Sequence, residues 1–195
     1  WRKQNAANRL WHIDSSYLLP GATFSLLHAR VVPSSGGDTE YCDTRVAWDA
    51  FLPERRAALT GLLADHSIFH SRRLIGFEMG GEYARLPSIR RKLARHHAPS
   101  GRVALAIASH IENIEGMDYA EARALVDELV ALASAPGRVY RHTWAAGDLL
   151  MWDNRCVLHR GTDYAELAEP RDLRSCRVND VDDEGVALDR DQGAL

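Results

Sequence analysis

Cysteine is scarce in this chain. Cys42, Cys156 and Cys176 are its only three among 195 residues. Their odd number, their wide spacing and the lack of any Cys-x-x-Cys pair argue against a disulfide framework and for a reducing compartment, so the expected location is the cytoplasm. Long hydrophobic runs are missing too: none approaches the ~18 residues of a spanning helix, and no membrane partner is expected. Excess charge of one sign is also absent, with 24 basic against 27 acidic residues and a net charge of −3. That balance gives no footprint for nucleic acid or an anionic lipid surface. Neither repeats nor low-complexity linkers divide the chain. With 46% hydrophobic and 26% charged residues, it reads as one ordinary globular domain with a real core.

Strand signals dominate. The segment 24–32 is rich in apolar and β-branched residues and ends at Pro33-Ser34-Ser35-Gly36-Gly37. Further strands are expected at 39–43, 67–71, 93–97, 103–108, 139–141, 148–152, 157–159 and 171–178. Helices are expected at 45–51 and 53–63, the second with Pro53 at a first helical position. The clearest helix opens at Asp118, whose partner Glu121 three residues on makes a capping-box pattern. It runs to about Ser134 on a stripe of Leu125, Val126, Leu129, Val130 and Leu132, and Pro136-Gly137 stops it. Many short strands with few helices, not alternating, point to a mainly β jelly-roll barrel with added helices, residues 1–178. The acidic segment 179–195 is expected to be a solvated tail.

The chemistry centres on Trp11-His12-Ile13-Asp14-Ser15-Ser16-Tyr17. In an extended segment residues i and i+2 share a side, so His12 and Asp14 present an imidazole and a carboxylate together. With one more histidine they make the facial 2-His-1-carboxylate set of non-heme Fe(II) oxygenases. A lone His-x-Asp says little in a chain with 9 His. The weight comes from a second cluster, Gly147-Asp148-Leu149-Leu150-Met151-Trp152-Asp153-Asn154-Arg155-Cys156-Val157-Leu158-His159-Arg160-Gly161, followed 12 residues after His159 by Arg171 in Pro170-Arg171-Asp172-Leu173-Arg174.

Taken in order, WHIDSSY, SGGDTEYCD at 35–43, GDLLMWDNRCVLHRG and PRDLR resemble the taurine/2,4-dichlorophenoxyacetate dioxygenase family of Fe(II)- and 2-oxoglutarate-dependent enzymes. The nearer likeness is to its aryloxyalkanoate branch, and it runs from residue 4 to about 180. The resemblance implies a double-stranded β-helix whose N-terminal part lies outside this chain, which opens at Trp1. It implies Fe(II) on His12, Asp14 and His159, with 2-oxoglutarate and O2 as co-substrates. Arg171 then holds the far carboxylate of 2-oxoglutarate, as a bidentate cation that never deprotonates, and Thr39 adds a hydroxyl bond.

The implied reaction is hydroxylation of a small, anionic organic substrate, with ether cleavage if the hydroxylated carbon carries an aryloxy oxygen. Relatives often carry a second Arg four residues after the first to pair the substrate anion, and here that position is Ser175. Arg177 shares its face and is the candidate replacement, while Arg174 points away. Asn8 matches a polar position near substrate. The alternatives are a hydroxylase of another small molecule (a sulfonate, sulfate ester or amino-acid-like compound) and a truncated, non-catalytic metal-binding relic; a homo-oligomer is compatible with either.

His110-Ile111-Glu112 is a competing His-x-acid, but too few strands separate it from His159 to set the two on facing sides of a jelly roll. It is read as a loop-edge histidine. His28, His66, His70, His96, His97 and His142 are read as satisfied structural residues. His28 shares the Phe24/Leu26 side of its strand, which leaves a barrel-facing place open to it. Trp152 is assigned to packing beside the metal, Asp153 and Asn154 to fixing the turn and the ligand surroundings, and Cys156 to an inert buried thiol.

Overall fold

A computed structural model describes residues 6–78 and 86–188. Its strands in chain order are β1 (Ala22–Val31), β2 (Thr39–Asp43), β3 (Leu63–His66), β4 (Ser88–Lys92), β5 (Ala94–His97), β6 (Arg102–Leu105), β7 (Ile111–Ile114), β8 (Val139–His142), β9 (Leu149–Asp153), β10 (Val157–Gly161), β11 (Asp172–Asn179) and β12 (Val186–Leu188). Four α-helices lie wholly within the described residues: α1 (Thr44–Asp49), α2 (Pro53–Leu59), α3 (Ile68–Arg73) and α4 (Tyr119–Ala133).

The strands form an antiparallel sheet β11-β1-β9, a second β10-β2-β8, a four-stranded sheet β12-β4-β3-β7 and the hairpin β5-β6. Trp152 on β9 reaches Tyr41 on β2 and His159 on β10, with ring centroids 5.2 and 4.6 Å apart, so the first two sheets face each other. The expected mainly β architecture with added helices is present, but the sheets stay open and no closed barrel forms among the described residues.

The core lies beneath the His-x-Asp segment. Trp11 and Ile13 join Leu93, Leu105, Ile107, Ile111, Ile114, Val126, Leu129 and Leu158 in one cluster. Burying the odd-numbered residues 11 and 13 leaves His12 and Asp14 on the other side. At ~25 cal/mol per Å2, two such anchors contribute several kcal/mol to holding the segment. Helix α4 carries the capping box: Glu121 N–H donates to Asp118 Oδ1 at 2.8 Å, and Asp118 N–H to Glu121 Oε2 at 2.9 Å. Its buried residues are Ala122, Val126, Leu129 and Ala133. Leu132, expected in that stripe, is exposed, one position off the four-residue spacing.

Several local expectations change. Helix α2 stops at Leu59 rather than residue 63, because Thr60 is extended and Gly61 turns at φ +88°. Leu63 thus begins β3, and the residues expected as strand 67–71 form α3 instead. Strands β3, β4, β7 and β12 were not expected. The acidic tail is docked over its described part: β12 pairs with β4, and Asp183 is buried against Arg91, accepting from Nη2 at 2.8 Å. Residues 189–195 of that tail lie outside the described residues. No described helix is long and apolar enough to cross a membrane.

Candidate active site

His12 forms a lone antiparallel bridge with His159, donating N–H to its carbonyl at 3.0 Å and accepting the return bond at 3.0 Å. After it the chain turns, with Ser15 in the left-handed region at φ 57°. Asp14 therefore arrives from a turn, whereas His159 is fixed inside β10. The three side chains converge. His12 Nε2 lies 3.9 Å and His159 Nε2 3.8 Å from the same Asp14 Oδ1, and the ligand atoms all fall within 4.8 Å of one another.

The donor set fits a divalent cation. His12 Nδ1 lies 2.7 Å from the Leu10 carbonyl. A carbonyl only accepts, so Nδ1 carries the proton and Nε2 presents a lone pair. Burial lowers the pKa of both histidines, that of His159 to about 3, so both are neutral at pH 7. Burial opposes the Asp14 charge, yet the imidazoles, Arg177 and the Ser25 hydroxyl outweigh it and hold the carboxyl well below its usual range. The His12 lone pair and a carboxylate oxygen meeting this way repel one another unless they share a cation.

Asp14 Oδ2 is held separately. It accepts from Ser25 Oγ at 2.7 Å, and Arg177 Nε lies 3.3 Å away. His110 is close but outside the trio. Its ring centroid is 6.0 Å from that of His12, and its Nδ1 lies 3.0 Å from Ser16 Oγ. It lies in the turn just before β7, the loop-edge place that the sequence suggests, and is buried there.

A cleft of about 680 Å3 opens beside the trio and brings together Asn8, Thr39, Arg171, Ser175 and Arg177 with all three metal candidates. Arg171 donates from Nε to the Gly37 carbonyl at 2.9 Å. That bond leaves its two terminal nitrogens available as a fork. Burial lowers the Arg171 pKa, but a guanidinium starts too high to lose its proton. Thr39 Oγ1 accepts the indole N–H of Trp144 at 2.9 Å, so its own proton is directed elsewhere. Across the cleft mouth, Arg9 pairs with Glu166 and, at 2.7 Å, with Asp163. Ser34 Oγ donates to Glu169 at 2.8 Å.

The inward face of β1 is that of Ser25 and Leu27, and His28 is exposed on the outside. His70, His97 and His142 have hydrogen-bond partners as expected. His66 departs from that reading: it is fully buried with neither ring nitrogen bonded, and burial drops its pKa to about 3. His97, Asp153 and Cys156 also cluster. There, however, Arg155 and His97 occupy both Asp153 oxygens, and burial pushes the Cys156 thiol up to about 11. The roles of Ser25, Gly37 and Trp144 had no sequence signal beyond the glycine pair.

The family model described as taurine catabolism dioxygenase TauD, TfdA family matches residues 2–177. The chain belongs to this family. Among TauD/TfdA relatives, it is 48% identical over 181 residues to the alpha-ketoglutarate-dependent 2,4-dichlorophenoxyacetate dioxygenase of Cupriavidus pinatubonensis, covering 92% of this chain and 62% of that protein. It is 38% identical to the (S)-phenoxypropionate/alpha-ketoglutarate-dioxygenase of Sphingobium herbicidovorans, covering 88% and 62% of the two chains. The chain thus spans 62% of the length of either relative. The crystal structure of AAD-2 in complex with Mn(II) and N-oxalylglycine superposes with a TM-score of 0.88 at 37% identity, over 94% of this chain and 73% of that one.

Proposed function

We propose that this chain carries the metal and co-substrate site of an Fe(II)- and 2-oxoglutarate-dependent dioxygenase that hydroxylates a small anionic molecule, with ether cleavage when that molecule is an aryloxyalkanoate. The observation that carries this reading is the meeting of His12 Nε2, His159 Nε2 and Asp14 Oδ1 on one wall of the cleft that Arg171 and Thr39 also line. His12, Asp14 and His159 would hold the iron. When bound, Fe(II) with 2-oxoglutarate and O2 supplies oxidation of a C–H bond, and the co-substrate leaves as succinate and CO2. The fold reading that goes with it is the double-stranded β-helix, and the two facing three-stranded sheets support it.

The chain's own residues would orient the reactants. The Arg171 fork receives the far carboxylate of 2-oxoglutarate, and Thr39, its oxygen already bonded to Trp144, donates its proton to the same group. Asn8, Ser175 and Arg177 lie on the remaining cleft wall, where substrate would sit. Buried Trp152 and Tyr41 pack around His159 and keep water from its inner side. A cytoplasmic, small-molecule enzyme fits the three free thiols.

A second reading, hydroxylation of a neutral or differently held substrate, is favoured by uncharged Ser175 and by the contact of Arg177 with Asp14. The test is anaerobic calorimetric titration of the Fe(II)-loaded protein with 2-oxoglutarate, followed by O2-dependent succinate formation. Binding and turnover that vanish in His12→Ala are expected. Binding without succinate under any condition would leave a metal-binding relic.

A further inference from the structure

We propose that Trp152, Asn154 and Ser25 form a directed hydrogen-bond relay that presets Asp14 to offer one oxygen to the metal and couples its orientation to that of His159. The inference rests on the reading of His12, Asp14 and His159 as ligands. All three relay residues are buried, with Ser25 at 1%, Asn154 at 0% and Trp152 at 7% exposure. Trp152 Nε1 donates to Asn154 Oδ1 at 3.0 Å, Asn154 Nδ2 to Ser25 Oγ at 2.7 Å, and Ser25 Oγ to Asp14 Oδ2 at 2.7 Å.

Chemistry fixes the direction at every link. An indole N–H only donates, so the Asn154 oxygen faces Trp152 and its NH2 faces Ser25. The Ser25 oxygen then accepts, which leaves its proton for the ionised carboxylate. Bonds aligned in one sense polarise one another, and the last acceptor carries the charge.

A carboxylate free to rotate offers a metal either oxygen or both. Here Oδ2 is held by a short bond from buried Ser25, so Oδ1 is the oxygen that lies 3.8 and 3.9 Å from the two Nε2 atoms. The relay is built into the sheet. Ser25 and Trp152 are register partners across β1 and β9, and Asn154 N–H anchors the following turn on the Thr23 carbonyl at 2.8 Å. The far end of the relay touches the second ligand, because the Trp152 ring packs 4.6 Å from the His159 ring. Trp152, Asn154 and Ser25 are therefore positioning residues.

The test is calorimetric titration of the full chain with Mn(II) alone, for the native protein, Ser25→Ala, Ser25→Thr, Asn154→Leu and the Ser25→Ala/Asn154→Leu pair. Loss of groups that orient ligands typically weakens metal binding by ~10–100-fold, and Ser25→Ala and Asn154→Leu are expected in that range. The double variant should be no worse than the poorer single one, since both break one relay. Ser25→Thr, which keeps the hydroxyl, should restore most of the affinity. A merely structural relay would lower the melting temperature of metal-free and Mn(II)-loaded protein equally. The positioning role shrinks the metal-induced rise, and the Mn(II) resonance spectrum should change with it.

Should Asn154→Leu fail to fold, the Ser25 pair carries the test. Affinity in folded Ser25→Ala within ~2-fold of native, when His12→Ala abolishes binding, overturns the relay alone. A native chain that binds no Mn(II), or a His12→Ala variant that binds as tightly, overturns the ligand reading and the relay with it.

Discussion

Replacing Gly37 by Ala separates two quantities that most substitutions at this site would mix. Gly37 sits at φ +67°, and a Cβ there would meet Pro33 Cγ at 3.0 Å and Arg171 Cδ and Nε at 3.2 Å. Left-handed backbone costs an L-residue about 1–2 kcal/mol, and that part falls on folding stability. The crowding acts on the side chain whose Nε donates to the Gly37 carbonyl at 2.9 Å. A hydrogen bond from a charged donor contributes about 1.5–3 kcal/mol, and its loss releases the Arg171 fork from its fixed direction. If 2-oxoglutarate binds that fork, its dissociation constant should rise about 10–100-fold.

Gly76 supplies the control. It has the same φ of +67°, and a methyl added there meets nothing within 4 Å, so Gly76→Ala should lose similar stability and no 2-oxoglutarate affinity. Urea melts and anaerobic calorimetry on the Fe(II)-loaded proteins measure the two effects. Equal 2-oxoglutarate affinities in Gly37→Ala and Gly76→Ala would refute the assignment of Arg171 to the co-substrate.

Arg171→Ala should cost 2-oxoglutarate binding about 2–5 kcal/mol by the same calorimetry, as one partner of a buried charge pair is removed. Thr39→Val should cost about 1–2 kcal/mol. Arg177→Gln should weaken an anionic substrate while leaving 2-oxoglutarate nearly untouched; Arg174→Gln, on the outer face beside Asp172 at 3.6 Å, should do neither, and paired titrations decide. His110→Gln should retain Mn(II) binding, because His110 bonds Ser16 and lies outside the trio. For Asp153, burial raises the pKa, but bonds from Arg155 and His97 outweigh it and bring it to about 2. Because that pKa is depressed on folding, its contribution is complete above the unfolded value near 4 and fades as pH falls toward 2. Asp153→Asn should therefore cost about 1–2 kcal/mol at pH 7 and progressively less below pH 4 in urea melts.

How much of this was legible depended on whether the signal was local. The capping box at Asp118 and Glu121 involves neighbours in sequence, and it is present as expected. His12, Asp14 and His159 announced themselves as residue types in an ordered likeness, and the fold brings them together. Strand parity was harder. Phe24, Leu26 and His28 make as plausible an inward face as Ser25 and Leu27, because the inward wall is a polar cleft and apolarity points the wrong way. The helix read through Leu62 and Leu63 failed at Gly61, whose positive φ ends the turn that the leucine spacing would continue. The docked tail was invisible for a different reason. A run of acids reads as solvated unless its cation is known, and Arg91 lies 92 positions away from Asp183.

Charge bears on the substrate question that Ser175 leaves open. The cleft contains Arg171 and Arg177 as cations and Asp14, Glu166 and Glu169 as anions. Glu166 is neutralised by Arg9, and Glu169 lies at the exposed mouth, where Ser34 donates to it and solvent screens its charge from the metal site. Under the proposed reading, a divalent ion with Arg171 and Arg177 faces the single negative charge of Asp14. 2-Oxoglutarate, a dianion, offsets two of the three positive charges that remain. The last belongs to Arg177, half-exposed and 3.3 Å from Asp14 Oδ2. A metal that shares the Asp14 charge weakens that contact, because the carboxylate can no longer give its full field to both partners. Arg177 is then left facing the cleft beside Ser175, and a monoanion there completes the balance that a neutral substrate would leave open.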